Sequence, residues 1–123
     1  MESGTERPKP ISILIAVSVR LYRDGLAATL SEQKHLRVAG TASTSLDGQL
    51  AARALQPDVV VVDVSLTDAL SLIRTLRAEQ PKSCILAFAV EEDICTILEY
   101  AEAGADGFVS TNCSAIELTE AIE

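Results

Sequence analysis

Asp63 is the residue of this 123-residue chain whose setting most calls for a chemical explanation. It ends Val59-Val60-Val61-Val62-Asp63, the most strongly β-forming run in the sequence. A carboxylate at the end of a buried strand can serve as a nucleophile, as a metal ligand, or as a polar strand end that caps a neighbouring loop. The other reactive residue types are scattered. Cys84, Cys95 and Cys113 contain no C-x-x-C pair, and an odd count without metal spacing fits a reducing cytosol and buried or incidental thiols. The sole histidine, His35, precedes a weak strand, so it belongs at the end of the sheet away from Asp63. No Ser-His-Asp triad can be assembled around it.

The elements that position Asp63 follow from periodicity. Ile13-Leu14-Ile15-Ala16-Val17 is too apolar for a half-exposed strand and reads as a buried central one. Leu21 to Glu32 is helical, with Tyr22, Leu26, Thr29 and Leu30 at helical spacing. Leu36 to Ala42 is a weaker strand that suits a sheet edge. Leu46 to Leu55 is a short helix ended by Pro57. After the valine run, Ala69 to Glu79 is a helix with Leu72, Ile73 and Leu76 inside and Arg74 and Arg77 outside. Cys84 to Ala89 is a fourth buried strand. Ile94, Ile97, Leu98 and Ala101 form a helical stripe, Phe108-Val109-Ser110 a brief fifth strand, and Ser114 with Glu117 a capping box for a last helix carrying Leu118 and Ile122. Strict alternation of β and α implies parallel strands with helices on both faces. Residues 1–10, with two prolines and mixed charge, read as a flexible leader, and 11–123 as one domain.

In a doubly wound sheet, ligands sit beyond the carboxyl ends of the strands. The candidate segments are Val17 to Arg20, Asp63 to Asp68, Ala89 to Asp93 and Ser110 to Cys113. The first contains no glycine, so no dinucleotide fingerprint is present, and there is no Walker loop. A net charge of −8 argues against a nucleic-acid backbone or an anionic membrane as the direct partner of this domain. No apolar run reaches the ~18 residues of a membrane span.

Ile13-Leu14-Ile15-Ala16, Leu21-Tyr22-Arg23-Asp24-Gly25-Leu26, Pro57 to Asp63 and Ala103-Gly104-Ala105-Asp106-Gly107-Phe108, in that order, resemble a bacterial response-regulator receiver domain. The Arg-x-Gly-Leu and Gly-Ala-Asp-Gly segments are most similar to the NarL/LuxR-type subfamily. The resemblance covers about Ile11 to Glu123 and implies a flavodoxin-like sheet of order 2-1-3-4-5. It also implies phosphorylation of an aspartate, at Asp63, by a histidine kinase. In such receivers Mg²⁺ binds through that aspartate and an acidic pair after the first strand. A Ser/Thr after the fourth strand and a Lys after the fifth contact the phosphoryl group.

Here the acidic pair aligns with Val17 and Ser18, the Ser/Thr with Ala89 and the Lys with Thr111. Phe108 keeps an aromatic at the position that reports phosphorylation in relatives. Mg²⁺ binding is therefore expected to be weak or absent, since the ion wants hard oxygen ligands in octahedral array. Asp68 and Asp93 are the candidates to substitute as a ligand. Losing metal and lysine together, at about 4 to 6 kcal/mol of barrier, slows transfer roughly 10³- to 10⁴-fold.

The expectation is a cytoplasmic, non-enzymatic pseudo-receiver that acts through protein–protein contact, as a homodimer or with a protein partner. The resemblance implies the N-terminal part of a transcriptional regulator, since the subfamily usually carries a helix-turn-helix output domain. Tyr100 and Ile116 are the candidate interface residues. A working phosphoacceptor using Asp63, served by a histidine kinase, and a small-ligand sensor built on the less charged crevice are the alternatives.

Overall fold

The computed structural model describes residues 10–90, 94–110 and 122. Five strands and four helices alternate among them: β1 (Ile11–Ala16), α1 (Arg20–Ser31), β2 (Leu36–Ala42), α2 (Ser45–Leu55), β3 (Val59–Asp63), α3 (Ala69–Glu79), β4 (Cys84–Val90), α4 (Ile94–Ala103) and β5 (Gly107–Ser110). Every strand pairing is parallel and the order is β2-β1-β3-β4-β5, the flavodoxin-like arrangement.

The continuous apolar runs have a direct physical reading. Successive residues of a strand face opposite sides of the sheet, so a run buried on both sides cannot alternate with polar residues. Leu14, Ala16, Val60 and Val62 pack with Ala52 of α2, Leu72, Ile73 and Leu76 of α3, and Tyr100 and Ala103 of α4. Ile13, Ile15, Val17, Val59 and Val61 pack on the opposite face with Leu30 of α1 and with Ile122. Helices therefore cover both faces. β2 pairs only with β1, and its mixed burial is that of an edge strand.

The ends of the elements explain small departures from the sequence reading. β1 begins two residues early because Ile11 N–H donates to His35 O at 2.9 Å and Ile11 pairs with Leu36. α2 is stopped by Gln56, left-handed at φ 46°, before Pro57 takes effect. Thr44 caps its start by accepting from Asp47 N–H at 3.1 Å.

Two helices depart in part from the stripes that periodicity marks: Leu26 and Leu30 of α1 and Ile97 of α4 pack inward, and other members do not. Tyr22, at helical spacing with Leu26, Thr29 and Leu30, is 62% exposed. On α4, Ile94, Leu98 and Ala101 face outward while Tyr100 and Ala103 are buried. Tyr100, at 8% exposure, is core, which corrects the expectation of an interface role: its ring fills space beneath α4 and is not available to a partner.

Arg77 ties α3 to the turn before β5. Its guanidinium donates to the carbonyls of Gly104, Pro81 and Ser83 and pairs with Asp106. Gly104 has φ 120°, and a Cβ there would lie 2.8 Å from Arg77 Cβ. The leader (residues 1–9), Asp93, Thr111, Cys113, Ile116 and the body of the expected last helix lie outside the described residues.

Candidate functional site

β1 and β3 run side by side with Ala16 opposite Val62, so their carboxyl ends bring the Val17–Ser18 turn next to Asp63. Asp63 is 4% exposed and its carboxylate is fully engaged. Oδ1 accepts from Ser65 N–H at 2.9 Å and from Ser65 Oγ–H at 2.7 Å. Oδ2 accepts from Ser18 N–H and from Ser18 Oγ–H, both at 3.2 Å. The two hydroxyls lie 3.3 Å apart, closing a ring of donors around one buried acid. Four partners for a carboxylate of this burial are what its desolvation demands. Of the three roles open to Asp63 on sequence grounds, this geometry is that of a strand end capping its loop.

Val17 is wholly buried and belongs to the apolar cluster under α1. Its carbonyl accepts from Arg23 Nη1 at 3.0 Å, so a guanidinium lies over the turn where an acidic pair would stand. A Mg²⁺ ion would find one side-chain carboxylate with all four hydrogen bonds made, an aliphatic side chain and a hydroxyl that is donating. That donor set does not fit the ion. Asp68 does not repair it: it sits left-handed at the start of α3 and lines a separate hollow between α2 and α3. Among the described residues no three of His, Cys, Asp and Glu converge.

Ala89 lies in β4 at the register irregularity, between Phe88 paired with Val109 and Val90 paired with Ser110. Phe108 is half-buried and packs against the cluster that holds Tyr100. The phenol of Tyr100 is pushed above its ordinary pKa by burial first, then by the negative charges of Glu99 and Asp63. A small cavity of about 140 Å³ beside Ser18 and Ser65 is lined further by Ser43, Thr44, Ser45, Leu66 and Thr67. The larger hollow, about 380 Å³, lies at the amino ends of β3 and β4 around Pro57 and Pro81, away from Asp63.

Sequence reasoning singled out Asp63, Val17 and Ser18, which the fold brings together. It missed Ser65. The Asp-x-Ser spacing was the available signal, because an Asp at the end of a strand commonly accepts from the residue two positions on.

A parallel five-stranded sheet with a buried aspartate at the end of its central strand defines a receiver-type signalling fold. The chain belongs to the response regulator receiver domain family, which it matches over residues 13–123. It is 31% identical to the transcriptional regulatory protein MctR of Rhizobium johnstonii over 121 residues, 97% of this chain and 56% of that protein. To the nitrate/nitrite response regulator protein NarL of Escherichia coli it is 28% identical, covering 93% of this chain and 54% of NarL. The chain therefore spans about half the length of the curated relatives it matches. Among solved structures, a LuxR-family response regulator from an Aurantimonas species superposes with a TM-score of 0.86 at 24% identity, over 93% of this chain and 83% of that one. The response regulator domain of Thermotoga maritima CheB gives 0.83 at 21% identity, over 93% and 94%.

Proposed function

We propose that this receiver domain is a cytoplasmic pseudo-receiver: a protein–protein interaction module that signals without ordinary Mg²⁺-dependent phosphorylation of Asp63. The observation that carries this reading is the hydroxyl ring, in which Ser18 and Ser65 occupy all four hydrogen-bonding directions of the Asp63 carboxylate. A carboxylate that attacks a phosphoryl group must first give up donors, and the transferred charge then needs cations to receive it. Among the described residues the groups on this carboxylate are the hydroxyls and backbone amides of Ser18 and Ser65, and the Arg23 guanidinium over the turn donates to the carbonyls of Val17 and Ser18. By likeness to MctR and NarL, the domain serves as the receiver of a transcriptional regulator. A histidine kinase is then a docking partner whose phosphate is not taken up.

Calorimetric titration with Mg²⁺ and labelling of the unmodified chain with a small acyl phosphate test the proposal together. The expected outcome is no saturable Mg²⁺ binding at millimolar concentration and no label on Asp63. Tight Mg²⁺ binding with stoichiometric label would establish a working phosphoacceptor instead. The hydroxyl-lined cavity beside Ser18 keeps a second reading in view, a sensor of a small polar ligand. A metabolite that raises the melting temperature, and whose effect is lost in Thr44→Val, would favour it.

A further inference from the structure

The hydroxyls beside Asp63 have already spent their protons. A serine hydroxyl carries a single one. Ser18 gives its proton to Asp63 Oδ2 at 3.2 Å, and Ser65 gives its own to Oδ1 at 2.7 Å. The two oxygens nonetheless lie 3.3 Å apart, with no proton left to place between them. Both line the hollow of about 140 Å³ that the β2–α2 and β3–α3 loops enclose. Ser45, on the same lining, donates its proton to the carbonyl of Thr67. These hydroxyls therefore offer the hollow lone pairs and no proton. Behind Ser18 and Ser65 stands a carboxylate at 4% exposure, whose charge solvent screens little.

Such a lining suits a donor that carries positive charge. A primary ammonium group has three N–H donors and no acceptor, so it can bridge the Ser18 and Ser65 oxygens and bring its charge toward Asp63. The donor set that fails Mg²⁺ suits this ion, because directional N–H donors need lone pairs and not an octahedral shell of oxygens. The amino end of α2 does not turn the hollow toward anions: Thr44 Oγ already accepts from Asp47 N–H, and Asp47 sets an acid in the first turn. A net charge of −8 adds a long-range bias toward cations. At ~30 Å³ for each water, the hollow holds about four or five non-hydrogen atoms. We propose that it binds small primary amines as their ammonium ions, with the Ser18 and Ser65 oxygens accepting the N–H donors and Asp63 supplying the counter-charge. The proposal gives a ligand class to the sensor reading of this cavity and rests on that reading; it makes no use of phosphoryl transfer at Asp63.

The test titrates the full chain, isotope-labelled, with ethylammonium chloride. Potassium chloride and tetramethylammonium chloride serve as cations without an N–H, and sodium acetate as the anion. Ethylammonium is expected to shift the amides of Ser18, Ser45 and Ser65 saturably at millimolar concentration, and to bind at least tenfold more tightly than either comparison cation. Ser18→Ala and Ser65→Ala each weaken it at least fivefold. Asp63→Asn, whose amide must donate to a hydroxyl oxygen and so turns that proton outward, weakens it at least tenfold. Gly104→Ala, destabilised at a remote turn, binds like the parent, which separates lost binding from lost stability. An equal response to ethylammonium and tetramethylammonium overturns the proposal, as do shifts mapping away from the hollow or unchanged binding in both serine variants. Saturable acetate binding at these amides, with none of ethylammonium, overturns the amine assignment and sustains the sensor reading, whereas binding of none of the four salts overturns the proposal outright. Acyl phosphate labelling of Asp63 alongside retained ethylammonium binding would defeat the pseudo-receiver reading alone.

Discussion

Removing the hydroxyl of Ser65 is the most informative perturbation of the Asp63 ring. Ser65→Ala keeps the backbone donor at 2.9 Å and deletes the hydroxyl donor at 2.7 Å, the shortest of the four bonds. A hydrogen bond to a charged, buried acceptor contributes about 1.5 to 3 kcal/mol. Ser65 is itself exposed, and water entering its place returns part of that, so the expected loss is about 1.5 to 2 kcal/mol. Ser18→Ala deletes a bond of 3.2 Å and should cost about 0.5 to 1 kcal/mol. Because the two hydroxyls are 3.3 Å apart, the double variant should depart from additivity by about 0.5 kcal/mol. With an unfolding entropy of about 2.1 cal/mol/K per residue, 1 kcal/mol corresponds to about 4 °C in this chain, so Ser65→Ala should melt about 6 to 8 °C lower. Urea and thermal melts of the four proteins form the assay. A Ser65→Ala protein within about 0.3 kcal/mol of its parent, less than even a weak net hydrogen bond, would refute the claim that the ring stabilises the fold.

Three further outcomes are expected. Gly104→Ala forces a left-handed residue and a 2.8 Å contact with Arg77, and should cost about 1 to 3 kcal/mol in chemical denaturation; Arg77→Met, which strands the carbonyls of Gly104, Pro81 and Ser83, should cost about 2 to 4 kcal/mol. Burial raises the thiol of Cys84, with Asp106 adding to it, and burial likewise raises the phenol of Tyr100; the native state then holds these protons longer than the unfolded chain, so the contribution of these two groups should be level between neutral pH and about pH 8.5, and stability should fall as pH climbs above that. The exposed Cys95 should accordingly be alkylated before Cys84, as peptide mass spectrometry would read. Last, Val17→Asp with Ser18→Asp, Ala89→Thr and Thr111→Lys should raise Mg²⁺ affinity and permit labelling at Asp63. Val17 is wholly buried, so the metal-free variant should lose about 4 kcal/mol or more, and Mg²⁺ should restore much of its melting temperature. A variant that Mg²⁺ neither binds nor stabilises would show that the missing groups are not what silences the pocket.

Much of this molecule was legible in one dimension. Runs such as Ile13 to Val17 and Val59 to Val62 are uninterrupted by polar residues because both of their faces are covered, and that identifies central parallel strands before any contact is known. The weaker Leu36 to Ala42 run marked the edge for the complementary reason, and the position of Asp63 at the end of β3 follows from the run before it. The faces of α4 were not legible. Its ten residues carry two apolar lines, Ile94-Leu98-Ala101 and the one holding Tyr100 and Ala103, and periodicity cannot say which meets the sheet. Only docking against Leu72, Ile73 and Ala87 decided it, because the sheet supplies a surface on one side alone. The seal on Asp63 was likewise a tertiary decision. Ser18 reaches it across 45 residues of sequence, and only the pairing of β1 with β3 brings those strand ends within hydrogen-bond distance. Local propensity determines which residues form strands and helices, whereas the partner of a buried charge is determined by what the packed sheet leaves beside it.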